Sequence, residues 1–176
     1  MARQSTRDRY AATMKTKSVY SFRVSGISAH LVDHLRPLSD EELRSRRVVR
    51  RVVDRKPGFP CRVTLEDARI GETVLLLNYE HLAGQSPYRS VGPIFVRESA
   101  TQSYSRANEI PNVLLVPGRL FSMRSYDNED MLVGSEVIET PEIEESIQRL
   151  FTDARVAYIH VHNAGPGCYA CRIDRA

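Results

Sequence analysis

The chain has 176 residues, of which 41% are hydrophobic and 27% charged, a composition that suits one globular domain with a single sizeable core. No apolar run approaches the roughly 18 to 20 residues needed to cross a bilayer, which excludes a helical membrane protein. The net charge of +3 hides an asymmetry, since residues 1–62 hold fifteen Lys/Arg against six Asp/Glu, and residues 63–176 hold ten against sixteen. Parts of about +9 and −6 attract each other on folding or present a basic surface to a polyanion. The start, Met1 to Tyr10, is basic and polar with no apolar segment behind it, so no secretory signal is expected. Three cysteines are odd in number and too few for a disulfide framework, so the expected compartment is the cytoplasm.

Residues 1–17 lack apolar periodicity and read as a mobile basic arm, leaving 18–176 as one domain. Tyr20, Phe22 and Val24 alternate with polar residues up to Gly26, the pattern of a half-buried strand. Short helices are predicted over Ser28 to Leu35 and from Ser39, where Ser39 and Glu42 match a capping box. Val48 to Val53 reads as a strand, Lys56 to Pro60 as a turn, and Cys61 to Leu65 as a further strand. Thr73 to Tyr79 carries Val74-Leu75-Leu76-Leu77, a run expected of a central strand. Pro93 to Val96 forms another strand, and Gln102 to Asn112 a polar connection. Val113 to Val116, Leu120 to Tyr126 and Met131 to Val137 are short apolar pieces between turn signals. The clearest helix runs from Thr140 to about Thr152, with Thr140 as cap, Pro141 in the first turn and Ile143, Ile147, Leu150 and Phe151 on one stripe. Val156 to His162 and Cys168 to Asp174 flank a Gly/Pro turn and predict a terminal hairpin. The expected fold is therefore α+β: one domain, a mainly antiparallel twisted sheet, few helices and a C-terminal β-hairpin.

Every cysteine lies close to an arginine beside a Gly/Pro turn, in Pro60-Cys61-Arg62 and in Gly167-Cys168-Tyr169-Ala170-Cys171-Arg172. An arginine beside a thiol favours the thiolate and offers a fork to an anion, so the two segments form a reactive or ligand-binding corner if the fold joins them. The Cys168/Cys171 spacing matches a dithiol, but residues three apart on a flat strand point to opposite faces, and buried thiols are the better reading. His160 and His162 share one strand face and could take a metal with Cys168 or Cys171. A histidine pair on the outer face of an edge strand without a carboxylate partner is the commoner case, so neither metal nor cofactor is expected. Tyr88-Arg89, Arg97 and Arg124-Ser125-Tyr126 place arginines and tyrosines at strand ends, where converging they would bind a carboxylate or phosphate. The valines inside Arg44 to Arg51 favour strand residues with one solvated face over a nucleic-acid interface.

Pro60-Cys61-Arg62, Gly71-Glu72, Leu75 to Tyr79, Pro87-Tyr88-Arg89, Gly92 to Val96, Arg124 to Asp127 and Gly167-Cys168-Tyr169 stand in an order that resembles the bacterial proteins grouped as domain of unknown function 1203. The resemblance runs over about residues 20–175 and implies a stand-alone bacterial cytoplasmic domain without assigning a reaction. Family members carry a second cysteine soon after the first and a histidine after the Gly-Pro-Ile-Phe strand; here those places are Thr64 and Arg97, which sets this chain apart from a dithiol or metal role.

The function these readings predict is binding of a small anionic or polar metabolite in a pocket of Cys61, Arg62, Tyr88, Arg89, Arg97, Arg124, Tyr126 and Cys168. Cys61, Cys168, Tyr88 and Tyr126 are its candidate catalytic groups, and Arg62, Tyr88, Arg89, Arg97 and Arg124 its candidate ligand contacts. The alternatives are an interaction protein that uses the basic N-terminal third on nucleic acid or an acidic partner, and a structural homodimer joined by exposed strand edges.

Overall fold

The computed structural model describes residues 19–176; the arm expected over residues 1–17 lies outside them. The strands are β1 (Phe22–Ser25), β2 (Val49–Val52), β3 (Thr73–Leu82), β4 (Ser90–Arg97), β5 (Ser105–Ala107), β6 (Leu120–Tyr126), β7 (Leu132–Glu139), β8 (Tyr158–Asn163) and β9 (Tyr169–Arg175). The α-helices are α1 (Asp40–Ser45) and α2 (Ile143–Leu150), joined by 3-10 turns at Ala29–Val32, Asn112–Leu114 and Thr140–Glu142. Six strands form one sheet in the order β5-β1-β9-β8-β6-β7, and β2-β3-β4 form a second. All paired strands run antiparallel, and β8 and β9 make the C-terminal hairpin, so the chain is an α+β domain as its sequence pattern indicates. Among the described residues no helix is long and apolar enough to cross a membrane.

Sequence chemistry accounts for the elements. Ser39 accepts a bond from the Glu42 amide at 3.3 Å and Glu42 returns one from the Ser39 amide at 2.7 Å, which closes the capping box that starts α1. The Ile143, Ile147 and Phe151 stripe drives α2 onto one face of the larger sheet, against Phe22, Val24, Phe121, Met123, Ile159, Val161 and Ile173. Thr140 does not cap this helix: its hydroxyl donates to the carbonyls of Val116 at 2.7 Å and Arg119 at 3.3 Å, and Glu139 forms a capping box with Glu142 instead. A second core gathers Leu75, Leu77, Ile94 and Val96 of the small sheet with Val32, Leu35, Leu43 and Tyr169.

Three sequence-based expectations change in three dimensions. Cys61 to Leu65 is not a strand: after an isolated bridge of Cys61 to Phe95 the chain turns, with Leu65 at φ 52° and its amide bonded to the Cys61 carbonyl at 3.0 Å. The connection over Gln102 to Asn112 contributes β5, which pairs only through Ser105 to Ala107 against β1. Lastly, β8 is an interior strand of the larger sheet, buried at every residue, so His160 and His162 do not face solvent from an edge.

Two register shifts re-aim side chains. Glu80 pairs with Val91 and Leu82 with Ser90, leaving His81 as an extra residue in β3. Val161 pairs with Cys171 and His162 with Tyr169, leaving Ala170 as the extra residue in β9. The second bulge puts Ala170 and Cys171 together in the core beneath α2 and returns Tyr169 and Arg172 to the opposite face, which a flat strand forbids for residues three apart.

The turn over residues 60–65 is held by close backbone packing at Gly26. The Ile27 amide donates to the Arg62 carbonyl at 2.9 Å, and a Cβ on Gly26 would stand 2.3 Å from the Val63 carbonyl oxygen and 2.8 Å from that of Arg62. Because the obstructing atoms are backbone, they have no rotamer by which to yield. Gly26→Ala is expected to lower unfolding free energy by about 1–3 kcal/mol, the usual range for overpacking, read from urea midpoints; an unchanged midpoint would show that this contact is slack.

Candidate functional site

The two cysteine-arginine segments meet, and Arg62 is the residue that joins them. Its amide donates to the Phe95 carbonyl at 2.9 Å and its carbonyl accepts from Ile27, which fixes both sides of the residue. The guanidinium, in a residue only 2% exposed, crosses to the C-terminal hairpin, where Nε donates to the Tyr169 carbonyl and Nη2 reaches the Cys168 sulfur at 3.2 Å, while Nη1 donates to the Pro60 carbonyl. No carboxylate takes part. Burial pushes the Arg62 pKa down, and the neighbouring thiols of Cys168 and Cys61 oppose that shift.

Cys168 accepts a second bond, from the Asn163 side-chain amide at 3.3 Å, so its half-buried sulfur is approached by two N–H donors. These groups stand at one side of a cavity of about 710 Å³. Its wall includes Arg62, Arg119, Asn163 and Cys168 among apolar residues of β3, β4 and the 116–120 segment, and it holds two arginines and no acidic residue. Cys61 and Cys171 are fully buried, and the Cys61 sulfur accepts the Arg97 amide at 3.3 Å instead of facing the cavity. Burial raises the Cys171 thiol to about 12, so of the three thiols only Cys168 is both accessible and within reach of the cavity.

On the face of the larger sheet opposite α2, a second cluster forms where β3 crosses it. His81 stacks on Tyr169 with ring centroids 5.1 Å apart and stands 5.0 Å from His162 and 6.0 Å from His160. Tyr126 and Tyr158 stack at 5.4 Å and both flank His160, at 5.3 and 5.0 Å. The His162 Nδ1 lies 3.0 Å from the Gly167 carbonyl, an N–H donation that leaves Nε2 with a lone pair, and that Nε2 has no partner. Nδ1 of His81 and of His160 are likewise buried without partners. Burial, then the charges of neighbouring histidines and arginines, pushes His160 down to about 2; burial also takes His162 down to about 4, against the pull of the Gly167 carbonyl. Among the described residues no three His, Cys, Asp or Glu side chains are disposed to hold a metal ion together.

The eight pocket residues named from sequence therefore do not converge, and Cys61 is fully buried in the second core. Arg62 and Cys168 line the cavity. Tyr126 belongs to the ring cluster, with Tyr88 edge-on to it at 6.3 Å, and Arg124 lies beside it with Nε 3.3 Å from the Ser122 hydroxyl. Arg89 is 63% exposed and pairs with Glu80, while Arg97 pairs with Glu66 at 3.4 Å and Glu72 at 3.7 Å. Sequence reasoning missed Arg119, Asn163 and His81. Arg119 follows a Pro117-Gly118 turn, a signal comparable to those that flagged the other arginines, whereas His81 is revealed only by the bulge in β3.

The ring cluster carries a pH dependence whose sign is fixed by these shifts. Folded pKa values below the unfolded 6.5 mean that the unfolded chain binds more protons, so stability is lost as pH falls below 6.5. The charged groups facing the imidazoles, Arg124, Arg172 and Arg62, are all cationic and oppose protonation, and the Gly167 carbonyl at His162 is the one contact that favours it. Between pH 6.5 and 5 the slope should approach about 1.4 kcal/mol per pH unit for each of the two histidines, and His160→Gln should remove about half of it. Denaturant titrations across that range measure it, and a flat profile would contradict neutral burial.

A family model described as protein of unknown function (DUF1203) matches residues 58–175, a span that begins in the cavity wall and includes Arg62, Arg119, Asn163, Cys168 and the whole ring cluster. No curated protein and no solved structure matches the chain.

Proposed function

The chain belongs to the DUF1203 family, and because that membership carries no reaction, we propose a function from the geometry: the chain binds a small anionic or polar metabolite in the cavity walled by Arg62, Arg119, Asn163 and Cys168. The observation that carries this reading is the uncompensated positive charge of the wall, two arginines and no carboxylate. A buried guanidinium bonded only to carbonyls and a thiol keeps its full charge, and in a low-dielectric wall that charge attracts an anion more strongly than it would in water. The cavity volume lies within the roughly 300–1,000 Å³ range of small-molecule sites.

Cys168 is the thiol that a bound ligand would meet, because it lines the cavity, is only partly buried, and its sulfur accepts from Arg62 and Asn163. Arg89 and Arg97 are less suited to ligand binding than Arg62, since each already has a carboxylate partner. Three unpaired thiols fit a reducing compartment such as the bacterial cytoplasm, where we place the protein.

Differential alkylation tests the reading. With the folded protein, iodoacetamide should modify Cys168 well before Cys61 and Cys171, as followed by peptide mass spectrometry. A metabolite thermal-shift screen should yield at least one anionic compound that raises the melting temperature and also slows modification of Cys168, with neutral analogues of the same size doing both more weakly. A screen in which no anion does both, or equal modification of all three cysteines in folded protein, would refute a ligand site at this corner.

A further inference from the structure

The cavity is selective in a way that its charge alone does not show. Arg62 has donated from Nε, Nη1 and Nη2 to protein acceptors, so most of its fork is spent and it contributes chiefly charge. Arg119 is the reverse case. Its backbone is pinned, with the amide bonded to the Val116 carbonyl at 3.3 Å and the carbonyl accepting the Thr140 hydroxyl at 3.3 Å, after a turn that Gly118 makes at φ 73°. Its guanidinium has no hydrogen-bond or ion-pair partner among the described residues, although it stands half-buried in the cavity wall. A free planar fork on a fixed stem matches the two oxygens of a carboxylate.

The rest of the wall is apolar. Leu76, Pro93 and Phe95 of the small sheet line it together with Val116 and Leu120, and Asn163 has one of its donors committed to the Cys168 sulfur. A sugar phosphate or nucleotide would bury hydroxyls against these side chains without partners, and a phosphate dianion would find a single free fork where it needs donors on three oxygens. A cavity of about 710 Å³ is also far larger than an inorganic anion.

We propose that the ligand is a monocarboxylate with an apolar body, its carboxylate held by Arg119 and its hydrocarbon part lying between Phe95, Leu76 and Leu120, next to Cys168. This rests on the anion-binding reading above and narrows it to one chemical class.

Calorimetric titration of the full chain with butanoate, hexanoate and octanoate tests the class, with 1-octanol, inorganic phosphate and ribose 5-phosphate as controls. Affinity should rise by about fourfold per added methylene while the chain still finds apolar wall. Octanoate should also slow iodoacetamide modification of Cys168. Arg119→Gln should weaken octanoate by roughly 10- to 100-fold, leave 1-octanol unchanged, and leave the melting temperature of the free protein unmoved. If ribose 5-phosphate binds more tightly than octanoate, or carboxylate affinity does not depend on chain length, the apolar-carboxylate class is wrong while an anion site stands. If octanoate binds the Arg119→Gln variant as well as wild type, the assignment to Arg119 is wrong. If neither anion binds or protects Cys168, both readings fall.

Discussion

A buried guanidinium with no carboxylate partner among the described residues sets the terms for this fold. Arg62 cannot lose its proton under physiological conditions, and removing an ion from water costs several kcal/mol unless its donors are met. The chain meets them with the Pro60 carbonyl, two residues away, and with the Tyr169 carbonyl and Cys168 sulfur, both more than a hundred residues from Arg62. Satisfying Arg62 therefore ties the 60–65 turn to the C-terminal hairpin and fixes how the three-stranded sheet sits against the six-stranded one. The same requirement explains why residues 60–65 turn instead of continuing as a strand: the backbone amide of Arg62 is given to Phe95, its carbonyl to Ile27, and its side chain to the hairpin.

The ring cluster is the complementary half of that junction. Where hydrophobic contact alone would hold two sheets without specifying their register, His81, His160 and His162 pack with one another and with tyrosines at centroid distances of 5.0 to 6.2 Å, a spacing that rewards particular ring orientations. Their neutrality follows from the same setting that charges the cavity wall. Arg62, Arg124 and Arg172 surround them, so a proton on any imidazole would meet both desolvation and like charge. Tyr169 links the two regions, since its ring stacks on His81 while its carbonyl accepts from Arg62.

Much of the fold was legible from the chain. Local alternation marked β1, turn signals on either side of apolar segments marked β6 and β8, the Ser39/Glu42 pair marked α1, and the apolar stripe marked α2, because each of these signals acts over a few residues. The candidate site was legible only in part. The proximity of cysteine to arginine in both segments pointed to a shared corner, and Arg62 and Cys168 do meet there. Arg89 and Arg97 were singled out as arginines at strand ends and are held by Glu80, Glu66 and Glu72, partners that cross-strand pairing and a turn bring close. Nothing near an arginine in sequence distinguishes a fork left free for a ligand from one already taken by a carboxylate.

By itself the sequence determined the periodicities, the Ser39/Glu42 capping box, the absence of a spanning helix and the α+β class, since all of these depend on side-chain pattern and composition. It also set each cysteine close to an arginine along the chain, although of the three sulfurs only that of Cys168 has a guanidinium bond among the described residues. Only the tertiary structure decided which arginine is buried, which thiol is accessible, and that His81 joins His160 and His162. Those outcomes depend on strand order and on single-residue bulges at His81 and Ala170, each of which reverses the face that the following residues present. A bulge costs one unpaired residue in the ladder and leaves little trace in a two-residue periodicity, so its effect on the site becomes visible only when the partner strand is in place.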